Sequence, residues 1–95
     1  MAVVITGRYT GDKKTRVEHP QTGASFSTAA PLYNNGDGSS FSPTDLIGTS
    51  LGSCMLTVMG IAAEQEGIPF PEATFRLEKH MKANPRRVGS LPIVL

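Results

Sequence analysis

Apolar and β-forming residues occur in short segments that are separated by turn residues. The exception is one long apolar stretch in the middle of the chain. Residues 2–9 (AVVITGRY) are rich in β-forming residues, and residues 13–19 (KKTRVEH) are polar and extended enough for an edge strand. A third strand is predicted over residues 24–30 (ASFSTAA). Turn signals at residues 11–12 (GD) and 20–23 (PQTG) separate the three. The pattern predicts an antiparallel meander.

The long apolar stretch has the start and stop signals of a helix over residues 43–66. Ser42 is a suitable N-cap followed by proline, and Asp45 stands three residues after it, as in a capping box. Gly67 can adopt the left-handed conformation that ends a helix, and two prolines follow it. Such a helix is about 36 Å long, which is considerable for a small domain.

The remaining residues predict a second group of strands. Residues 72–80 (EATFRLEKH) alternate apolar and polar positions as a half-buried strand does, and residues 82–87 (KANPRR) form a turn. Residues 88–95 (VGSLPIVL) begin another strand, in which Pro92 is compatible only with an edge or a bulge. We therefore expect one α+β domain over residues 1–95, in which a meander precedes a long buried helix and a hairpin. Because the chain stops in an apolar run, we expect the domain to be incomplete at its C-terminus.

Composition excludes several classes of protein. Of the 95 residues, 39% are hydrophobic and 18% are charged, which is typical of a globular domain and not of a disordered chain. A net charge of +1 does not favour nucleic-acid binding. The single cysteine cannot form an intrachain disulfide, and the first residues lack the regions of a signal peptide. These features predict a cytoplasmic protein.

Residues 46–63 carry no charge and are close to the minimum length of a membrane span. However, they include seven Gly, Ser and Thr residues, and neither aromatic nor basic residues border them. A buried helix is therefore the preferred interpretation, with no membrane partner. A sheet covers only one face of such a helix, and Gly48 and Gly52 allow another element to approach closely. We therefore expect a second subunit or missing C-terminal residues to cover the other face.

Cys54 is the one nucleophilic thiol of the chain, although free cysteines are more often buried core residues than reactive groups. A reactive thiol must ionise, and an unperturbed cysteine has a pKa of about 8.5. Cys54 lies roughly three turns inside the predicted helix, beyond the reach of the helix dipole. A cation from another segment must therefore assist it, and arginine is better suited than lysine. The candidate cations are Lys13, Lys14, Arg16, Arg76, Arg86 and Arg87.

Three segments together resemble the OsmC/Ohr family. Residues 41–68 (FSPTDLIGTSLGSCMLTVMGIAAEQEGI) are similar to the family's central cysteine helix, particularly that of the OsmC-like branch. Residues 9–23 (YTGDKKTRVEHPQTG) and 82–95 (KANPRRVGSLPIVL) are similar to the first hairpin and to the turn and strand after the helix. The resemblance implies an intertwined α+β homodimer with two sites at the subunit interface. Each site uses a cysteine to reduce hydroperoxides, preferably organic ones.

Carried onto this chain, the resemblance makes Cys54 the thiolate that attacks the peroxide and becomes a sulfenic acid. Arg16 is the best match for the arginine that stabilises the thiolate, with Lys13 and Lys14 as alternatives. Thr44 stands where the family peroxidases have a glutamate, ten residues before the cysteine. The second cysteine of the family lies on a later helix that these 95 residues do not include, so the implied reductant is an external thiol.

The rival hypothesis is a non-enzymatic OsmC-like dimer or a truncated product. In that case Cys54 is a structural residue and the interface cavity binds a small apolar ligand. No cofactor is expected under either hypothesis. His19 and His80 are far apart in the sequence, so no metal site is expected either.

Overall fold

The computed structural model describes residues 2–95, which divide into two compact units. The first unit extends to Pro43 and the second comprises Thr44–Leu95. One long helix and several antiparallel strand pairs confirm the predicted α+β class. The elements are β1 (Thr6–Gly11), β2 (Lys14–His19), β3 (Ala24–Ala29), α1 (Pro43–Gln65), β4 (Arg76–Leu77), β5 (His80–Lys82), β6 (Arg87–Ser90) and β7 (Ile93–Val94).

The first unit is the predicted meander, a three-stranded antiparallel sheet in the order β1-β2-β3. The prediction that the second strand lies at an edge is wrong, because β2 pairs with both neighbours. The polar composition of β2 is typical of an edge strand. Here it occurs in a central strand because neither face of β2 is fully buried within the chain. Arg16 and Glu18 lie on one face of the sheet, while Thr15 and Val17 lie on the other.

Both predicted turns of the meander are present. Asp12 and Lys13 connect β1 to β2 with φ angles of 54° and 61°, which is the left-handed geometry of a tight hairpin turn. Residues 20–23 connect β2 to β3, and the amide of Gly23 donates to the carbonyl of His19 at 2.9 Å. The turn residues therefore set the register of the sheet.

The loop between β3 and α1 contains one turn of 3-10 helix, Leu32–Asn34. An ion pair between Lys14 Nζ and Asp37 Oδ2, 2.9 Å apart, connects this loop to β2. The Asp37 carboxylate also accepts a hydrogen bond from the amide of Ser39. The bond from Lys14, together with that from Ser39, holds the pKa of Asp37 well below its usual range.

α1 begins at Pro43, the last residue of the first unit, as predicted, and it ends at Gln65 in the second unit, one residue before the predicted end. Gly67 has a φ of 67°, and the amide of Ile68 donates to the carbonyl of Ala63 at 2.9 Å. This arrangement satisfies carbonyl groups that the end of a helix leaves without a partner.

The glycines of α1 allow the later segments of the chain to pack against it. A methyl group added at Gly48 would collide with Leu77, and one added at Gly52 would lie 2.5 Å from the ring of Phe75. These two glycines are the buried residues of the helix. As expected for the single chain, its own later segments cover one face of the helix, and the opposite face is exposed.

The alternating segment after the helix forms two short strands. β4 pairs with β7, and β5 pairs with β6 across the predicted turn. Phe75 and Leu77 are half-buried while their polar neighbours are exposed, which confirms that part of the alternation. Pro92 precedes β7, where its carbonyl accepts a hydrogen bond from the amide of Glu78 at 3.1 Å.

Candidate functional site

Cys54 lies near the middle of α1, and it is exposed. At 100° per residue it points about 160° away from Gly52, hence away from the face that packs on Phe75. Nearby hydroxyl groups bond within the helix. Ser50 Oγ donates to the carbonyl of Ile47 at 2.8 Å, and Thr57 Oγ1 donates to that of Ser53 at 2.9 Å. The thiol therefore lies on an apolar helix surface. The hydroxyl groups of Ser50 and Thr57 beside it donate to backbone carbonyls of the same helix.

Arg16 lies in the middle of β2, where two serines of β3 hold its guanidinium group. Nη2 donates to Ser25 Oγ at 2.6 Å and Nη1 to Ser27 Oγ at 3.4 Å. Arg8 lies directly across from it on β1, and Glu18 is 3.9 Å from Arg8. Among the ion pairs of residues 2–95, none involves Arg16. Since its hydrogen-bond partners are neutral, its charge is available to an anion.

Several of the alternative cations have partners of their own. Lys14 forms the ion pair with Asp37. Arg76 lies 2.6 Å from a carboxylate oxygen of Glu78, and Arg87 donates to two backbone carbonyls of its own turn. These contacts favour Arg16 over Lys14 and Arg76 as a cation for a thiolate. Arg16 belongs to the first unit and Cys54 to the second, so their pairing stays a prediction.

The opposite face of the sheet carries an open apolar groove of about 440 Å³. Ile5, Val17 and Phe26 form its walls, and His19 and Thr22 lie among its lining residues. A smaller polar hollow of about 110 Å³ lies beside Arg8 and Arg16. The sheet thus separates a charged surface from an apolar one.

Within residues 2–95, no group of three or more His, Cys, Asp and Glu side chains is arranged to hold a metal ion. α1 is the one helix of the described chain that is long and apolar enough to cross a membrane. Core helices of soluble proteins pass the same test of length and composition. The close packing of Leu77 and Phe75 on its glycines favours a helix of a globular protein.

Comparison with protein-family models gives no match, and neither does comparison with curated proteins. One solved structure is similar: a crystal structure from Psychrobacter arcticus 273-4, described as a candidate osmotic stress induced and detoxification response protein. The two chains are 43% identical with a TM-score of 0.90, and the match covers 98% of this chain and 67% of the other. This chain belongs to the OsmC family. The likeness also confirms the OsmC-like α+β fold.

In this OsmC family chain, a lysine from a later segment, Lys79, contacts the first turn of α1. The sequence did not predict this contact. Lys79 Nζ lies 2.8 Å from Thr44 Oγ1 and 2.6 Å from Asp45 Oδ1, and its side chain is only 11% exposed. Asp45, which was predicted to act in a capping box, forms this ion pair. Thr44, which occupies the position of the glutamate in the family resemblance, accepts a hydrogen bond from the same ammonium group. Thr44 and Asp45 thus connect α1 to the strand region that follows it.

Proposed function

We propose that this OsmC family protein is a thiol-dependent peroxidase that reduces organic hydroperoxides in a reducing cytoplasm. The observation that carries the proposal is the exposed thiol of Cys54 on an apolar surface of α1. An apolar surface around the thiol favours hydroperoxides with hydrocarbon groups over hydrogen peroxide. The description of the similar Psychrobacter protein as a detoxification protein supports the same assignment.

In the proposed reaction the Cys54 thiolate attacks the terminal oxygen of the hydroperoxide. A sulfur–oxygen bond forms, the oxygen–oxygen bond breaks, and the alkoxide takes up a proton to leave as an alcohol. Cys54 is thereby oxidised to a sulfenic acid. Arg16 is the proposed electrostatic partner. A guanidinium group has five N–H donors, and the two serines engage only part of them, so the remaining donors can bind the thiolate and the peroxide oxygen.

Turnover requires a reductant, because the sulfenic acid must be returned to a thiol. The proposed reductant is an external thiol, since Cys54 is the one cysteine of these 95 residues. An external thiol attacks the sulfenic acid, which forms a mixed disulfide and releases water. A second external thiol then attacks that disulfide and regenerates Cys54. Two thiols are consumed for each hydroperoxide, and no metal or organic cofactor takes part.

We further propose that the active protein is a homodimer with its sites at the subunit interface. Among residues 2–95, Ala29 is the one buried hydrophobic residue, whereas many large apolar side chains are exposed. A domain of this size buries only a modest fraction of its surface on folding, so its own core contributes little stability. A second subunit would cover the apolar surfaces and exclude water around the thiol.

The test is to add a slight excess of cumene hydroperoxide at neutral pH and to follow Cys54 by intact mass and a sulfenic-acid trap. We expect rapid formation of one sulfenic acid per chain, none in Cys54→Ser, and strong slowing in Arg16→Ala. Arg8→Ala is the matched control, because it removes the neighbouring arginine of the same sheet face. Equal slowing in both arginine variants would refute a specific role for Arg16. A thiol that reacts no faster than free cysteine would refute the peroxidase.

A second candidate function, binding of a small apolar ligand without chemistry, is favoured by the groove of about 440 Å³ on the sheet. An apolar fluorescent probe that binds the native protein, and binds more weakly to Phe26→Ser, would support it. Together with an unreactive thiol, that result would assign the protein as a binding scaffold.

A further inference from the structure

We propose that Asn35 is a site of spontaneous deamidation, and that the folded loop between β3 and α1 keeps it unreactive while the ion pair of Lys14 and Asp37 is closed. The inference goes beyond the proposed function and does not depend on it.

The sequence supplies the reacting groups. Asn35 is followed by Gly36, and the asparagine is exposed. In an asparagine–glycine pair, the glycine amide loses its proton to hydroxide, and its nitrogen attacks Cγ of the asparagine side chain. A carbon–nitrogen bond forms, and the side-chain nitrogen leaves with a proton from water as ammonia. Water then opens the resulting succinimide ring at either carbonyl, which gives aspartate or isoaspartate. Glycine favours the reaction because it has no side chain to hinder ring closure.

The backbone conformation of Asn35 opposes this attack. Asn35 has a φ of 67° and a ψ of 16°, a left-handed conformation that asparagine adopts more readily than most residues. With ψ near zero, the Gly36 nitrogen lies on the side of the Asn35 backbone nitrogen and not on the side of Cβ. Because substituents of a tetrahedral carbon are about 120° apart in projection, ψ must rotate by more than about 90° before the ring can close.

The nucleophile is also occupied. The amide of Gly36 donates to the carbonyl of Pro31 at 3.0 Å. This bond holds the proton that the attack must remove, and rotation of ψ at Asn35 would break it. A methyl group added at Gly36 would collide with the carbonyl group of Ala30, so the backbone of Gly36 has no free space on that side. The reactive conformation therefore requires the loop to open.

Two contacts outside this turn keep the loop closed. Lys14 Nζ lies 2.9 Å from Asp37 Oδ2, and the two side chains are 35% and 51% exposed. The amide of Gly38 donates to the carbonyl of Ala30 at 3.1 Å. Of these contacts, the ion pair joins the loop to β2 through side chains, and Asp37 follows Asn35 by two residues. Loss of the ion pair should therefore increase the population of the open loop.

The products of the reaction do not fit the closed loop. Either product places a second carboxylate two residues before Asp37. Isoaspartate also lengthens the backbone by one carbon atom, which changes the position of the Gly36 amide relative to the carbonyl of Pro31. Deamidation of Asn35 would therefore convert a transient opening of the loop into a permanent one.

The test is to incubate the full chain at one fixed neutral pH and temperature, and to follow Asn35 by peptide mass and by enzymatic detection of isoaspartate. We expect deamidation in the native protein to be at least about tenfold slower than in the urea-unfolded protein. Lys14→Met should accelerate it in the native protein by about twofold to fivefold, the range for a partly exposed ion pair. Lys13→Met is the matched control, because it removes the neighbouring exposed lysine and leaves the ion pair in place. Asn35→Gln should abolish the signal.

Amide hydrogen exchange distinguishes opening of the loop from unfolding of the whole unit. In Lys14→Met the amide of Gly36 should exchange faster by the same factor, while the amides between β1 and β2 keep their protection. Asp37→Ser removes the ion pair from the other side and should give the same two results. It takes the place of Lys14→Met if that variant does not fold.

Three results would overturn the inference. Equal rates in native and unfolded protein would show that the loop does not protect Asn35. Equal rates in the Lys14 and Lys13 variants would show that the ion pair does not keep the loop closed. Acceleration together with loss of protection throughout the sheet would show that Asn35 reacts only after the unit unfolds.

Discussion

Replacement of Gly52 by alanine tests the packing that fixes the orientation of α1. A methyl group at this position would lie 2.5 Å from Cε2 and 2.6 Å from Cδ2 of the Phe75 ring, whereas ordinary carbon contacts are about 3.5–4.0 Å. The ring must therefore move by about 1 Å or leave its place. The backbone and the L configuration fix the direction of the Cα–Cβ bond, so the methyl group cannot turn away from the ring.

Two opposing effects set the magnitude. Alanine is the better helix former by about 1 kcal/mol, whereas overpacking of a filled site costs about 1–3 kcal/mol. Because contacts of 2.5–2.8 Å are severe, the cost lies at the upper end of its range, and we expect Gly52→Ala to lower the free energy of unfolding by about 2 kcal/mol. Gly60→Ala is the matched control, because its methyl group would meet Phe70 at 3.6 Å, which is an ordinary contact. That variant should be more stable than the wild type by about 0.5–1 kcal/mol.

The assay is denaturant unfolding of both variants at one fixed protein concentration, since the apparent stability of the proposed dimer would depend on concentration. The two variants should shift the midpoint in opposite directions. A second variant, Phe75→Leu in the Gly52→Ala background, should recover part of the loss because it makes room for the methyl group. Stabilisation by both alanines would show that Phe75 does not pack on Gly52, and the assigned orientation of α1 would be wrong.

Two further predictions concern the ion pairs. Asp37→Asn should destabilise the loop at neutral pH. Because the pKa of Asp37 is lowered in the folded protein, its contribution to stability is fully present above the unfolded value near 4 and decreases as pH falls below that value. The difference between the unfolding midpoints of variant and wild type should therefore shrink steadily below about pH 4. A difference that is the same at about pH 2 as at about pH 7 would refute the pairing with Lys14. For Lys79 and Asp45, a double-mutant cycle with Lys79→Met and Asp45→Asn should give a coupling of about 1–2 kcal/mol in unfolding experiments. A coupling near zero would show that the pair adds nothing to stability.

The local features of the fold could be predicted from the sequence because local chemistry determines them. The turn at residues 20–23 and the helix ends at Pro43 and Gly67 depend on residues with strong backbone preferences. The structure places them within a residue of where they were expected. The resemblance of residues 41–68 to the cysteine helix was equally local, and the solved relative confirms the family.

Features that depend on distant partners could not be predicted in this way. The polar composition of β2 indicated an edge strand, but its position was decided by pairing with β3. Lys79 stood as one charged residue in an alternating segment, and its burial depends on Thr44 and Asp45, more than thirty residues away. The separation of residues 72–80 into β4 and β5 also follows from pairing, because each half has a different partner strand.

The orientation of α1 shows why its role was ambiguous in the sequence. A helix that is apolar on nearly every side satisfies the requirements of a membrane span, of a core helix and of a subunit interface alike. The contacts of Gly48 and Gly52 assign one face of the helix to the chain's own residues. The remaining face carries Cys54 among exposed apolar side chains. An exposed apolar surface of this kind is typical of an interaction site, and Cys54 lies within it.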